Sequence, residues 1–376
     1  MKIQLNREVL AKKLNVVGNV IPMKSTIPIL DHALVTVIGD RIIFTGSDTE
    51  ITVSSSMTFE LVEGEVSNFV CDTNIILKTI VTLKSDTIWI EVSEKQLNFG
   101  DSKSRKKYTI PIYYSAENFP RMTNEFKEPI SLNGDLVAQA IKITSPIVNK
   151  ASLIPAFTGV FIGKVGDKLR FSGVTNQLFS VFEFPIDGEF EHILVSKDSV
   201  KVIAEFEKSP DVAMSVSTDS TMLCIDNGDV TAYCRLIDAK FPNIDSIIDQ
   251  VDRSEYIKVD KVEFTSCVTR ATLFQNRDSK TIKFDYSSAE NFNISAENVD
   301  FAKQSIESLD YAERLGEMKF VSGFNSDFVQ TVMRSLDGEN ILMSQNTFNK
   351  PMIISDDKTR TQSIYFLISP LLIKQD

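Results

Sequence analysis

Histidine is almost missing from this chain, which has two, His32 and His192, in 376 residues, with one tryptophan and four cysteines. Neither histidine stands in a nucleophile or metal-ligand motif, so the residue type that most often carries acid–base and zinc chemistry is absent where it would be needed. Cys71, Cys224, Cys234 and Cys267 show no metal-ligand spacing and are too sparse for a disulfide framework; they read as small buried hydrophobes. No glycine-rich phosphate loop occurs. The remaining catalytic alternative, hydrolysis by paired carboxylates, would need two carboxyl groups in one cleft. The acidic pairs Glu63–Glu65 and Asp356–Asp357 instead sit in loop-like sequence and read as solvated. No catalytic residue, metal or cofactor is expected.

Long hydrophobic runs are missing too. No window approaches the roughly 18 uncharged apolar residues of a membrane span, and Met1–Leu10 carries charges where a signal peptide would be apolar, so a cytoplasmic protein without a membrane partner is expected. An excess of positive charge is also absent: 40 Lys and Arg against 51 Asp and Glu leave a net charge of -11. Affinity for DNA comes largely from cations that neutralise phosphates. Net charge is silent on distribution, however, and an acidic shell around a basic channel would satisfy both facts.

What the chain does have is 43% hydrophobic and 24% charged residues, enough to bury the cores of two or three domains. It also has an internal repeat. Ile3–Ile21, Ile130–Val148 and Ile257–Gln275 superpose at one constant offset, the step from Ile3 to Ile130 being the same as that from Ile130 to Ile257. Ile3, Ile130 and Ile257 coincide, as do Leu5, Leu132 and Val259, giving the alternation of a half-buried strand. Asn6, Asn133 and Asp260 follow as N-caps. Leu10, Val137 and Phe264, then Leu14, Ile141 and Val268 one helical turn on, predict one apolar helix stripe in each copy.

A second helix is expected midway through each copy, at Asp72–Leu83, Ser196–Phe206 and Asn325–Leu336, each after a short apolar strand. Strand-like stretches such as Arg41–Phe44, Thr87–Val92, Leu169–Ser172 and Thr281–Phe284 fill the intervals. Six helices per chain follow. The polar stretches Pro120–Glu128 and Asp245–Tyr256 mark the boundaries, and Phe119-Pro120 and Phe241-Pro242 close the first two copies. The expected domains are 1–122, 123–250 and 251–376.

Local motifs then point to a family. Ser25-Thr26-Ile27-Pro28-Ile29-Leu30, Phe44-Thr45-Gly46-Ser47-Asp48, Arg235-Leu236-Ile237-Asp238-Ala239-Lys240-Phe241-Pro242, Arg270-Ala271-Thr272-Leu273 and Gly323-Phe324-Asn325 occur in order on the threefold repeat. Together they resemble the bacterial DNA polymerase III beta subunit, the beta sliding clamp family, along the whole chain. The resemblance implies an α+β fold of three tandem clamp-type domains, each a doubled strand-helix unit. It further implies a head-to-tail homodimeric ring with helices lining the hole and sheets outside. Such a ring is a processivity factor, not an enzyme: it would hold double-stranded DNA topologically, without sequence preference, and tether replication proteins to it.

The resemblance also implies residue roles. Lys24, Lys150, Lys197 and Lys201 would face DNA, with Lys12 and Lys142 as further candidates. Tyr108 and Ile110 of one chain would meet Thr272 and Leu273 of the other, Thr272 standing where the family usually has an apolar residue. The basic run Lys103-Ser104-Arg105-Lys106-Lys107 lies beside Tyr108. A pocket for short peptide motifs of the replicative polymerase, the clamp loader and repair proteins would use Phe157, Leu178, Pro242, Ile247, Phe328, Phe348, Leu367, Pro370 and Leu371. Thr175, Asn176, Gln177, Ser246, Lys350 and Ser369 complete that set.

Two departures from the family pattern stand out. Its usual Thr-Asp-Ser/Gly-His-Arg-Leu stretch reads Gly173-Val174-Thr175-Asn176-Gln177-Leu178, and the chain runs on from Pro370 through Leu371-Leu372-Ile373-Lys374-Gln375-Asp376 where the family commonly stops sooner. A more apolar groove with retuned specificity is therefore expected. The alternatives are a divergent accessory clamp of a mobile element, which shares this chemistry, and a peptide-binding repeat scaffold that never encircles DNA. The period, from Ile3 to Ile130, is too long for a solenoid turn, which usually spans about 20 to 50 residues.

Overall fold

A computed structural model describes residues 1–65, 67–101 and 106–373. Lys103, Ser104 and Arg105 of the basic run thus lie outside the described residues. The helices are α1 (Arg7–Gly18), α2 (Thr73–Ile80), α3 (Gly134–Thr144), α4 (Lys197–Ile203), α5 (Asp245–Ile248), α6 (Lys261–Thr272) and α7 (Ser326–Ser335). Two compact units form, Met1–Ala138 with Asp198–Leu236, and Gln139–Lys197 with Ile237–Asp376.

In the first unit a five-stranded antiparallel sheet runs Glu60–Glu63, Lys2–Asn6, Thr87–Val92, Gln96–Asp101, Lys107–Pro111. Period-2 alternation buries Ile3 and Leu5 of one strand and Ile88, Ile90 and Val92 of its neighbour. Asn6 then starts α1 by accepting from the Glu8 and Val9 N–H groups, and Leu10, Leu14 and Val17 face the core. An eight-stranded sheet completes this unit. Its central seam pairs Ile51–Thr58 with Val230–Arg235 antiparallel, from Val230 opposite Ser55 to Cys234 opposite Ile51.

The second unit repeats the plan. A nine-stranded sheet carries the equivalent seam, Leu178–Pro185 against Ser363–Ile368, with Leu178 opposite Ile368 and Glu183 opposite Ser363. A four-stranded sheet runs Lys303–Asp310, Asn291–Asn298, Thr281–Asp285, Val321–Asn325. Phe264 of α6 packs on its face, with ring centroids 5.6 Å from Phe284 and 6.2 Å from Phe292. The other two expected caps also form: Asn133 Oδ1 accepts from Leu136 N–H at 3.2 Å and Asp260 Oδ1 from Glu263 N–H at 2.7 Å. Gly134 opens α3 where the repeat has Arg7 and Lys261. A Cβ there would lie 2.3 Å from the Phe206 carbonyl oxygen, so this helix start needs glycine.

One expectation needs correcting. Asp245–Tyr256, read as a polar boundary, contains the short helix α5, a seventh helix among the described residues. Ile244, Ile248 and Val251 are buried there and Ile247 is half-buried. Their i, i+3, i+4, i+7 spacing is a helical stripe, obscured in the sequence by the acids between them.

Candidate functional site

The residues expected to form a peptide pocket all fall within the second unit. Val174, Phe179, Val181, Ile244, Ile248, Val251, Ile353, Tyr365 and Leu367 form one apolar cluster, with Phe157, Phe241 and Ile247 packed against its partly open side. Of the residues expected from sequence, Phe157, Ile247 and Leu367 thus meet in one place. Leu178 and Leu367 are fully buried. The hairpin holding Thr175, Asn176 and Gln177 is locked locally: Thr175 Oγ1 accepts from the Leu178 N–H at 2.9 Å and from the Gln177 N–H at 3.3 Å. The Ser369 N–H donates to the Gln177 carbonyl at 2.8 Å, tying this hairpin to the C-terminal segment.

That segment continues along the strand Val321–Asn325, where the Leu371 N–H donates to the Gly323 carbonyl at 2.8 Å. A Cβ on Gly323 would fall 2.4 Å from Ile373 Cγ2, so the close approach of the tail depends on this glycine. The same strand reaches Phe348, whose carbonyl accepts from the Ser322 hydroxyl at 3.3 Å. Pro242 directly follows Phe241, and Phe328 lies in the first turn of α7; both are half-buried. Lys350 Nζ donates to Gln250 Oε1 at 2.9 Å, and Ser246 is exposed on α5.

Sequence reasoning missed the group that holds α5 in place. Arg170, on the strand Lys168–Val174, is buried with its Nε 2.6 Å from Glu183 Oε1 and its Nη1 2.7 Å from Asp245 Oδ1. Arg170 reads as an ordinary surface position in a strand, and only the fold brings Asp245 to it. Phe241, stacked on Phe161 at 4.6 Å, was also missed as part of the wall.

The four residues expected at a dimer contact occupy sheet edges or their surroundings. Lys107–Pro111 is an edge strand of its sheet; on it Tyr108 is half-buried against Phe99 at 5.3 Å, and Ile110 is buried in the unit's own core. Lys303–Asp310 is likewise an edge strand. Beside it Leu273 is 72% and Phe301 71% exposed, with Val299 and Ile306 also open, while Thr272 is half-buried. Arg270 of α6 grips that edge strand through Glu307, Nη2 to Oε2 at 2.7 Å; its hydrogen bond is the main cause that holds the Glu307 carboxyl below the usual range.

The expected DNA-facing lysines differ in setting. Lys12 and Lys142 are exposed on α1 and α3, and Lys24 and Lys150 are exposed on loops. Lys197 Nζ donates to the Val148 carbonyl at 2.6 Å. Lys201 pairs with Asp198 at 3.3 Å on the wall of a cavity of about 460 Å³ that Asp48 and Glu205 also line. A second cavity, of about 670 Å³, lies between α3 and α7 and is lined by Lys142, Arg334, Lys358, Arg360 and Asp337 among others. No helix among the described residues is long and apolar enough to cross a membrane.

This fold is that of the DNA polymerase sliding clamps. It superposes on the sliding clamp of Pseudomonas aeruginosa with a TM-score of 0.88 at 18% identity, covering 99% of this chain and 100% of that one. The beta subunit of Streptococcus pyogenes gives 0.88 at 16% identity over the same shares. Residues 1–123 match the family model described as DNA polymerase III beta subunit, N-terminal domain. The protein named beta sliding clamp in Bacillus subtilis is 23% identical over 97% of this chain and 98% of its own length. Residues 1–123 thus match the beta subunit's N-terminal domain, and the chain as a whole is similar in sequence and fold to beta sliding clamps.

Proposed function

We propose that this chain is the sliding clamp of a replicative DNA polymerase: two copies close head to tail around duplex DNA and tether other proteins to it. One observation carries the ring. In the register of the repeat, Ile51–Thr58 falls on Leu178–Pro185, and one copy further on it falls on 305–312, which overlaps Lys303–Asp310. Each copy also has a closing strand: Lys107–Pro111, Val230–Arg235 and Ser363–Ile368. Two of the three possible seams form within the chain, Ile51–Thr58 with Val230–Arg235 and Leu178–Pro185 with Ser363–Ile368. The two strands left over, Lys303–Asp310 and Lys107–Pro111, are both edge strands of their sheets, the position that leaves a backbone side open to pairing.

Pairing the leftover edges between molecules repeats a contact the chain already makes twice. Such a contact is heterologous, so it must close or grow into filaments, and two copies close it. Exposed Leu273 and Phe301 supply apolar surface next to one edge. On this reading the domains are 1–122, 123–250 and 251–376, the helices line the hole, and Lys12, Lys24, Lys142 and Lys150 meet phosphates. The role is that of a non-catalytic processivity subunit. The apolar cluster around Phe157, Ile247 and Leu367, with Leu371 on the neighbouring tail, takes short extended peptides from the polymerase, the loader and repair proteins.

The test is topological. Loaded protein stays on nicked circular DNA and is lost when the circle is cut. Equal retention on circle and linear DNA overturns the ring.

A further inference from the structure

Two strands of the second unit lie at sheet edges and receive a returning segment in the same way. Ile193–Ser196 ends the nine-stranded sheet and Val321–Asn325 ends the four-stranded one. The Ile237 N–H donates to the Leu194 carbonyl at 2.9 Å, and the Leu371 N–H donates to the Gly323 carbonyl at 2.8 Å. Leu194 and Gly323 hold one position of the repeat: each lies three residues before the start of the helix that follows, α4 at Lys197 and α7 at Ser326. Each return segment thus completes an open edge through the same backbone bond.

At the two contacts large and small side chains are exchanged. The first strand supplies the large Leu194, and its return segment brings the small Ala239, two residues past Ile237, against the cluster that contains Leu194. The second strand supplies Gly323, and two residues past Leu371 its return segment brings Ile373. Ile373 Cγ2 is 2.4 Å from where a Cβ on Gly323 would stand, so it fills the space that a strand side chain would need. Gly323 is not in the left-handed region, and this space alone demands glycine there. Leu372 is 98% exposed while Leu371 and Ile373 beside it are half-buried, the alternation of a docked strand. Opposite Gly323 stands Lys283, whose ammonium is drawn to Glu297 at 2.6 Å, where the first contact has Phe161 opposite Leu194. The apolar contact at Gly323 therefore falls to Ile373.

We propose that Ile373 is a positioning residue for peptide binding: seated against Gly323, it holds Leu371, and with it Pro370, where an incoming peptide meets them. Ile373 itself touches no peptide. A segment fixed beforehand spares the ligand the entropy of ordering it, so loss of the seat appears as lost affinity. This rests on the peptide-pocket reading, which places Pro370 and Leu371 at the groove.

The test is a size exchange in the full-length protein, read by anisotropy of a labelled short Gln/Leu/Phe-containing peptide and by hydrogen exchange at the Leu371 N–H. Ile373→Ala and Gly323→Val each weaken the peptide about ten-fold and open the Leu371 N–H to exchange, while exchange at Phe284 and the melting temperature stay those of the parent. The combination Gly323→Val/Ile373→Ala repeats the large-strand, small-return arrangement of Leu194 and Ala239. It binds within about three-fold of the parent and protects Leu371 again, because the total volume at the contact is conserved. Two unrelated lesions would add, so recovery in the combination reports this contact. The proposal is overturned if the combination is as weak as the two single losses multiplied, or if Ile373→Ala binds like the parent. A parent that binds no peptide removes the pocket reading instead. Recovery of Leu371 protection in the combination then still supports Ile373 as the seat of the segment, and its absence overturns it.

Discussion

Arg170 Nη1 donates to Asp245 Oδ1 at 2.7 Å, and this bond ties α5 to the sheet that bears the apolar cluster around Phe157, Ile247 and Leu367. The other arm of the guanidinium is spent on Glu183, which is buried beside it. Arg170 therefore satisfies a buried carboxylate and positions the wall bearing Ser246 and Ile247. The two roles separate by mutation. Arg170→Met leaves Glu183 buried and unpaired and costs about 3 to 5 kcal/mol in urea unfolding, most of it recovered in Arg170→Met/Glu183→Leu. Asp245→Ala leaves the buried pair intact, costs under about 1 kcal/mol at its half-exposed position, and weakens peptide binding several-fold. Undiminished peptide affinity in Asp245→Ala would show that α5 needs no such anchor.

Ring closure predicts a mass. One chain is 42.2 kDa, and the closed pair runs at twice that value in light scattering. Leu273→Glu with Phe301→Glu puts two carboxylates on the apolar side of the edge strand Lys303–Asp310 and converts the dimer to a folded monomer with the mass of a single chain. A dimer that survives both substitutions places its interface elsewhere.

The repeat made the helices, their caps and the strand entering each of them legible in advance, because strand periodicity, a capping side chain and a helical stripe are all local signals. Asn6, Asn133 and Asp260 cap as expected for that reason. Helix α5 was not legible, since a single turn gives too short a period to stand out among Asp245, Ser246 and Asp249. Resemblance located Phe157, Ile247 and Leu367, which the fold then brought together. Arg170 escaped because its partners lie 13 and 75 residues away and meet it only through sheet pairing and a loop return.

The C-terminal tail gives a prediction about binding without assembly. Leu371 is half-buried on the strand bearing Gly323, far in sequence from the edge strand Lys107–Pro111 and from Leu273. Leu371→Glu with Pro370→Ala abolishes binding of a short Gln/Leu/Phe-containing peptide while the dimer mass stays the same. Gly323→Ala acts at the other side of the contact, because its new methyl collides with Ile373 and lifts the tail. It weakens the same peptide without reaching the dimer interface. Unchanged peptide affinity in both variants would take the tail out of the groove.

Acid should loosen the loop that carries two cations of the α3–α7 cavity. Burial pushes the Asp357 carboxyl up, but hydrogen bonds from the Asn340 amide side chain and backbone N–H, together with Lys258 at 3.2 Å, outweigh it and bring the group from 3.8 to about 2. A carboxyl depressed by folding stabilises the protein fully above its unfolded value of 3.8 and loses that contribution as pH falls through about 2. The contribution near neutrality is roughly 2 kcal/mol. Asn340→Ala removes the side-chain donor and costs about 1 kcal/mol at pH 7 in urea unfolding. Asp337, held down mainly by its hydrogen bond from Lys358, titrates in the same direction in both proteins and cancels when variant and parent are compared at each pH. The gap between the two unfolding curves should therefore narrow steadily below the unfolded Asp357 value. A gap that stays constant into strong acid would mean that Asn340 stabilises the loop without holding the Asp357 charge.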